Sequence, residues 1–241
     1  MNAFWLLTRR ELVRFLRRPS QVGATLATPI VIWLFLAAGL GNAAENYAGS
    51  LAPAMAILVV LFSTIFAGMS LIEDRHAGLL RGVLISPAPR WAIAGGKLAP
   101  AALIAAAQGL PILLATLLLD SRPDPLGLLL GTLVLILAAI AVGGLGLAFA
   151  WWIDSPRGFH GLVTAAIMPL WLLSGAVFPE GAEADWINAL ETINPVAWCV
   201  RTLDAALALS PADAPFALAG TLAFAATGLI SATLSVGRSA R

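Results

Sequence analysis

Charge is missing from most of this 241-residue chain. Asp, Glu, Lys and Arg make up 11% of it, and none falls within six apolar stretches at residues 22–41, 51–72, 98–119, 126–152, 162–178 and 214–236. Hydrophobic residues reach 60%, which excludes an ordinary soluble domain, where the apolar share is nearer half. Each stretch approaches or exceeds the roughly 20 helical residues that cross a hydrocarbon core, the fifth only just. The runs are continuously apolar rather than alternating, so the expected spanning element is a helix that satisfies its own backbone in lipid, not a barrel strand.

Other shortages narrow the chemistry. Cys199 is the sole cysteine, so an intramolecular disulfide and a thiolate metal cluster are both excluded. The two histidines, His76 and His160, fall in expected loops, where a lone solvated imidazole is commoner than a base or ligand. No carboxylate or histidine lies in the apolar runs, which argues against an intramembrane protease and against a proton-coupled carrier. Gly95-Gly96-Lys97 superficially resembles a phosphate loop, but Trp91 stands where a glycine is needed and Leu98 where Ser or Thr is needed. No nucleotide site is assigned to this chain. The net charge of +1 forms no basic face for nucleic acid.

The charges that remain are lopsided. With the N-terminus inside, all Lys and Arg except Arg122 and Arg201 fall in cytoplasmic segments, and most acids fall outside. Both termini are therefore expected in the cytoplasm. The first apolar run is as long as a span and follows a basic segment, so it reads as a retained first helix rather than a cleaved signal.

Residues 1–19 place Phe4, Trp5, Thr8, Leu12, Phe15 and Leu16 at helical spacing with arginines on much of the other face, the pattern of a helix lying along the inner membrane surface. The longest cytoplasmic loop, 73–97, opens Glu73-Asp74-Arg75-His76. It then carries Leu79, Leu80, Val83 and Leu84, with Ser86, Pro87 and Pro89 to end a short amphipathic helix. Such a charged, partly apolar knob suits docking to another protein, and an ordinary solvated loop fits the same residues.

Within the runs, Gln108 is a candidate for a polar path or an interhelical hydrogen bond. Gly127, Gly131, Gly143, Gly144 and Gly146 suit close helix packing. Pro29, Pro111 and Pro169 are expected to kink their helices. The outer segment 179–213 is half apolar, with Trp186, Ile187, Leu190 and Trp198. It reads as two short helices dipping back toward the membrane and broken at Asn194-Pro195.

Two motifs carry a family resemblance over nearly the whole chain. Glu73-Asp74-Arg75, Gly78, Leu80, Pro87 and Gly96-Lys97 form the first. Ser174-Gly175-Ala176-Val177-Phe178-Pro179, Trp186 and Asn194-Pro195 form the second. Together they resemble permeases of the ATP-binding-cassette type-2 exporter family. Departures are Leu79 and Arg81 after the loop glycine, and Arg201 preceding Asp204 at a spacing that permits a helical ion pair.

The resemblance implies an all-α membrane protein of six transmembrane helices, with an N-terminal interfacial helix, a cytoplasmic coupling helix between spans two and three, and a re-entrant outer hairpin between spans five and six. It implies ATPase coupling through Glu73, Asp74, Arg75, Gly78, Leu80, Arg81 and Pro87. The re-entrant motif would use Ser174, Gly175, Pro179, Trp186, Asn194, Pro195, Arg201 and Asp204. It further implies a bacterial inner-membrane half-transporter, working with a second permease copy or close paralogue and two copies of an ATPase subunit that binds ATP and Mg. Its cargo would be hydrophobic, amphiphilic or lipid-linked. The competing readings are a scaffold or channel without an ATPase, and a secondary carrier.

Overall fold

The computed structural model describes residues 3–40, 47–79, 89–119, 123–175, 177–178, 184–210 and 214–238. Every described element is helical: α1 (Ala3–Leu16), α2 (Pro19–Leu40), the single turn α3 (Tyr47–Ser50), α4 (Ala52–His76), α5 (Arg90–Ala115, extended by a 3-10 turn at Thr116–Leu118), α6 (Pro125–Ala150), α7 (Pro156–Leu172), α8 (Asp185–Ile193), α9 (Pro195–Leu207) and α10 (Pro215–Arg238). The expected all-α class is what the chain adopts.

Proline marks the helix starts. α2, α6, α7, α9 and α10 each open on one, where the missing amide would have had no partner in any case. Short polar side chains complete three of these caps: Asp124 accepts from Leu126 N at 2.9 Å, Ser155 Oγ from Gly158 N at 3.2 Å, and Asn194 Oδ1 from Val196 N at 2.9 Å. Pro29, Pro100, Pro111 and Pro169 instead lie inside helices, where each removes a rung of the ladder.

Four helical stretches are long and apolar enough to cross a membrane: Tyr47–His76, Arg90–Leu118, Pro125–Ala150 and Pro215–Val236. α2 contains the shorter apolar run Gly23–Gly39, and α7 has 17 residues. α4 forms the middle of the bundle, with every side chain from Leu51 to Leu61 buried. α5 and α6 flank it with faces of small residues, Ala102, Ala105 and Ala106 on one and Ala138 and Ala139 on the other. α4 continues through Glu73–His76, and α5 begins at Arg90, so helix replaces both ends of the loop expected at 73–97. The charged residues there stay helical because other helices hold their side chains.

Glycine permits the closest approach in the bundle. A Cβ on Gly144 of α6 would run into the backbone of Gly228 on α10, and one on Gly228 would meet the carbonyls of Ile140 and Ala141. Gly127 faces the Leu207 carbonyl of α9 in the same way, its Cβ position 2.7 Å from that oxygen. The glycine-rich fourth run is thus a packing surface for α9 and α10.

Candidate functional site

The densest chemistry lies where α1 meets the end of α4 and the start of α5. α1 is seated on Gly95 and Gly96: a Cβ at Gly96 would sit 2.8 Å from Leu7 Cβ and 3.3 Å from the Phe4 carbonyl, and one at Gly95 3.3 Å from the Phe4 ring. These glycines, superficially similar to a phosphate loop, serve instead as the flat bed of a helix. Leu7 and Thr8 are buried by the contact.

That approach brings charges of both signs together. Arg10 and Arg14 lie one turn apart on a face of α1, with Arg18 two residues past its end, while Ser70, Glu73 and Asp74 share a face of α4. Asp74 receives Arg10 Nη2 and Arg14 Nη1 on one oxygen, the latter at 3.0 Å, and Lys97 Nζ on the other at 2.7 Å. Lys97 also reaches Glu11 Oε1 at 3.0 Å. Ser70 Oγ donates to Glu11 Oε2 at 2.8 Å and accepts from Arg14 Nη1 at 2.9 Å. Glu73 Oε2 takes Arg14 Nη2 at 2.7 Å and Arg18 Nη2 at 3.2 Å.

Asp74 is 1% exposed and Lys97 5%, so the cluster is enclosed at its centre, while Arg10, Arg18 and Glu73 at its edge are partly exposed. Charges removed from water in this way persist only when paired and hydrogen-bonded. The cluster ties α1, α4 and α5 into one unit.

Arg75 points elsewhere. Its guanidinium donates to the carbonyls of Ala150, Trp151 and Ile153 at 2.7, 3.1 and 2.7 Å, and Nε lies 3.6 Å from Asp154 Oδ1. A cation thereby caps the C-terminus of α6, where orphan carbonyls and the helix dipole both favour it. His76 Nε2 approaches the same Asp154 oxygen at 3.4 Å. The three consecutive residues Glu73, Asp74 and Arg75 thus join α1, α5 and α6 to the end of α4.

α4 ends at His76, and Gly78 just beyond adopts φ +73° while its amide donates to the Arg75 carbonyl at 3.1 Å. Leu79 beyond it is exposed. Leu80, Arg81 and Pro87, the rest of the expected coupling helix, lie outside the described residues, as does Pro179.

At the opposite end, Asn194 joins three elements. Its Nδ2 donates to the carbonyls of Leu170 and Leu173 at 2.6 and 3.0 Å, and its Oδ1 caps α9. Ser174 Oγ bonds back to the Trp171 carbonyl at 2.6 Å, and Trp171 Nε1 reaches the Ala54 carbonyl at 2.9 Å. Pro195 is the first residue of α9, and Trp186 projects outward from α8. Arg201 pairs with the buried Glu191 of α8 at 2.8 Å, a partner not expected from sequence, where Asp204 stood one turn away.

Gly175 makes that geometry possible. Its φ is +75°, and a Cβ there would lie 2.6 Å from the Glu191 carboxylate. Gly175→Ala is expected to destabilise the protein by about 1–2 kcal/mol from backbone strain alone, with more from displacing Glu191. Gly161→Ala, with nothing within 4 Å, is the matched control. Equal thermal midpoints for the two variants in detergent would contradict the assignment.

Gln108 is buried inside the bundle and accepts from Ser63 Oγ at 2.6 Å, linking α5 to α4.

The family model described as "ABC-2 type transporter" matches residues 2–207, which include both charged and re-entrant motifs. The chain belongs to the ABC-2 type transporter family. Two relatives from Escherichia coli, strains K12 and O157:H7, each named "Probable multidrug ABC transporter permease YbhR", are 27% identical to it over 142 residues. That alignment covers 59% of this chain and 39% of each relative, so the matched region spans about two fifths of their length. With four helices able to cross a bilayer, this family member is a multi-pass membrane protein.

The resemblance drawn from Glu73-Asp74-Arg75 and Asn194-Pro195 named the right family. Sequence reasoning missed Glu11 and Ser70 as partners of that first motif, and missed that its Lys97 pairs with its Asp74. A usable signal was present: the four-residue repeat Arg10, Arg14, Arg18 called for acidic partners, and the adjacent Glu73 and Asp74 supply them.

Proposed function

We propose that the chain is the membrane-spanning permease of an ATP-driven exporter, moving a hydrophobic, amphiphilic or lipid-linked cargo. The observation that carries this reading is the enclosed cluster around Asp74. Force applied to α1 or to the turn after α4 reaches α4 and α5 together through ion pairs, and α6 through Arg75. A separate ATPase subunit, two copies binding ATP and Mg, would push there, and a second permease copy would complete the path.

In this reading α2, α4, α5, α6, α7 and α10 make six crossings, with α8 and α9 as the re-entrant outer hairpin and both termini cytoplasmic. Exposed tryptophans support the depth assignment: Trp5, Trp91 and Trp152 ring the cluster end and Trp186 the other, as expected at two membrane interfaces. Glu73, Gly78 and Leu79 are the accessible part of the coupling surface, while Asp74 transmits from inside.

Two experiments test this. Mild-detergent purification from the native host after crosslinking is expected to bring an ATPase of the ATP-binding-cassette type with the chain, and its absence counts against the proposal. The double reversal Glu73→Arg with Arg75→Glu is expected to leave ATP hydrolysis in the assembled complex while export falls toward background. Wild-type export at normal expression would remove the coupling role.

A further inference from the structure

Two cavities lie side by side where α6 and α10 begin, and Ala205 and Ala214 belong to the walls of both. The first, about 210 Å³, runs along Leu130, Leu133 and Leu137 of α6 against Ala206 of α9 and Leu218 of α10. Its polar lining group, the Thr202 hydroxyl, is already hydrogen-bonded to Thr221 Oγ1 at 3.0 Å, so the slot offers a polar ligand nothing. The second, about 360 Å³, is lined by Arg201, Asp204 and Ser210 beside Trp198 and Phe216.

A polar chamber opening onto a dry slot fits an amphiphile. A water-soluble ligand would leave the slot empty, and a purely apolar one would waste the charged chamber. The slot descends seven residues of α6 between Leu130 and Leu137, about 10 Å at 1.5 Å per residue. Both α6 and α10 are long and apolar enough to cross a membrane, and Leu133 and Leu218 are exposed on them, which places the slot among acyl chains.

The chamber carries both signs of charge. Arg201 is oriented by Glu191 through Nε and Nη2, at 2.9 and 2.8 Å, and its side chain is half exposed. A phosphate would therefore meet a guanidinium that needs little further ordering. Asp204, already engaged within the protein, stands one helical turn further along α9 and lines the chamber, where a carboxylate with spare lone pairs can also accept from an ammonium group.

The geometry points to a seat for one phospholipid of the surrounding bilayer, with a zwitterionic headgroup between Arg201 and Asp204 and one acyl chain along Leu130–Leu137. The occupant is a resident lipid, so the seat holds whatever cargo the chain moves and does not rest on the export proposal.

The test uses the full chain in phospholipid nanodiscs containing a trace of phosphatidylethanolamine with a diazirine on one acyl chain. After irradiation, adducts are mapped by mass spectrometry. Labelling at Leu130, Leu133, Leu137 and Leu218 is expected to exceed, several-fold, that at Leu229 and Ile230, which are exposed lower on α10. Ala206→Phe and Leu133→Trp fill the slot from opposite walls, and each is expected to bring its labelling down to the Leu229 level. Unlabelled phosphatidylethanolamine is expected to displace the probe, whereas a diacylglycerol with the same chains is not.

Even labelling of slot and control residues overturns the seat, as does slot labelling that survives both filling variants in protein eluting like wild type. Equal competition by the diacylglycerol overturns the headgroup contact. The wild-type labelling and competition decide the matter even where a filling variant fails to fold.

Discussion

Asp74→Ala is expected to cost about 3–5 kcal/mol, the scale set by removing one partner from a buried ion pair. The loss is large because three cations converge on this carboxylate: Arg10, Arg14 and Lys97. Glu11 still engages Lys97 in the variant, but Arg10 has no other described ion-pair partner and Lys97 stays 95% covered. α1 should then be held more loosely on Gly95 and Gly96, by Leu7 and Phe4 and by the remaining pairs of Glu11 with Lys97 and of Arg14 with Glu73. The measurement is the thermal midpoint of the detergent-purified protein, with protease cleavage within α1 as a local reading. Glu73→Gln, at the partly exposed edge of the cluster, should change stability by only about 1 kcal/mol. An Asp74→Ala protein that unfolds at the wild-type midpoint would show that the cluster is not what fastens α1.

Gly144→Ala is expected to come next in severity, at or beyond the upper end of the roughly 1–3 kcal/mol that overpacking costs. The added methyl meets the Gly228 backbone rather than a side chain that can turn aside, so α6 and α10 must separate along their length. Gly228→Ala should do equal damage from the other side. Gly146→Ala, two residues away with its nearest neighbour at 3.9 Å, should fold like wild type. Thermal midpoint and monodispersity on gel filtration read all three. A tolerated Gly144→Ala would mean that the two helices can part without loss.

These two sites also show where reading the chain succeeds and where it stops. The charge-free runs located α4, α5, α6 and α10 because exclusion of charge from lipid acts on every residue of a span. The bunching of glycines around Gly144 marked a packing face for the same one-dimensional reason. The partner, Gly228, was not legible, since nothing local distinguishes it from Gly220 or Gly237. Ion pairing was only partly legible. Asp204 lies one turn from Arg201, and the fold also brings Glu191 to it from the neighbouring helix, at a position opened by the positive φ of Gly175. Residues 73–97 looked like a loop because they are charged, whereas the structure neutralises Glu73 and Asp74 with α1 and continues the helix to His76.

The sequence distances within the Asp74 cluster bear on how the chain is made. Arg14 and Asp74 are 60 residues apart, and Glu11 and Lys97 are 86 apart. At translation speeds of about 5–20 residues per second, the N-terminal arginines emerge roughly 4–17 seconds before the lysine that completes their clamp. Until then α1 lacks its glycine bed, although its acidic partners Glu73 and Asp74 have already been made. A nascent chain displayed past Asp74 but short of Gly95 should therefore hold α1 by its ion pairs to α4 alone, so α1 takes its final seat only after α5 has followed.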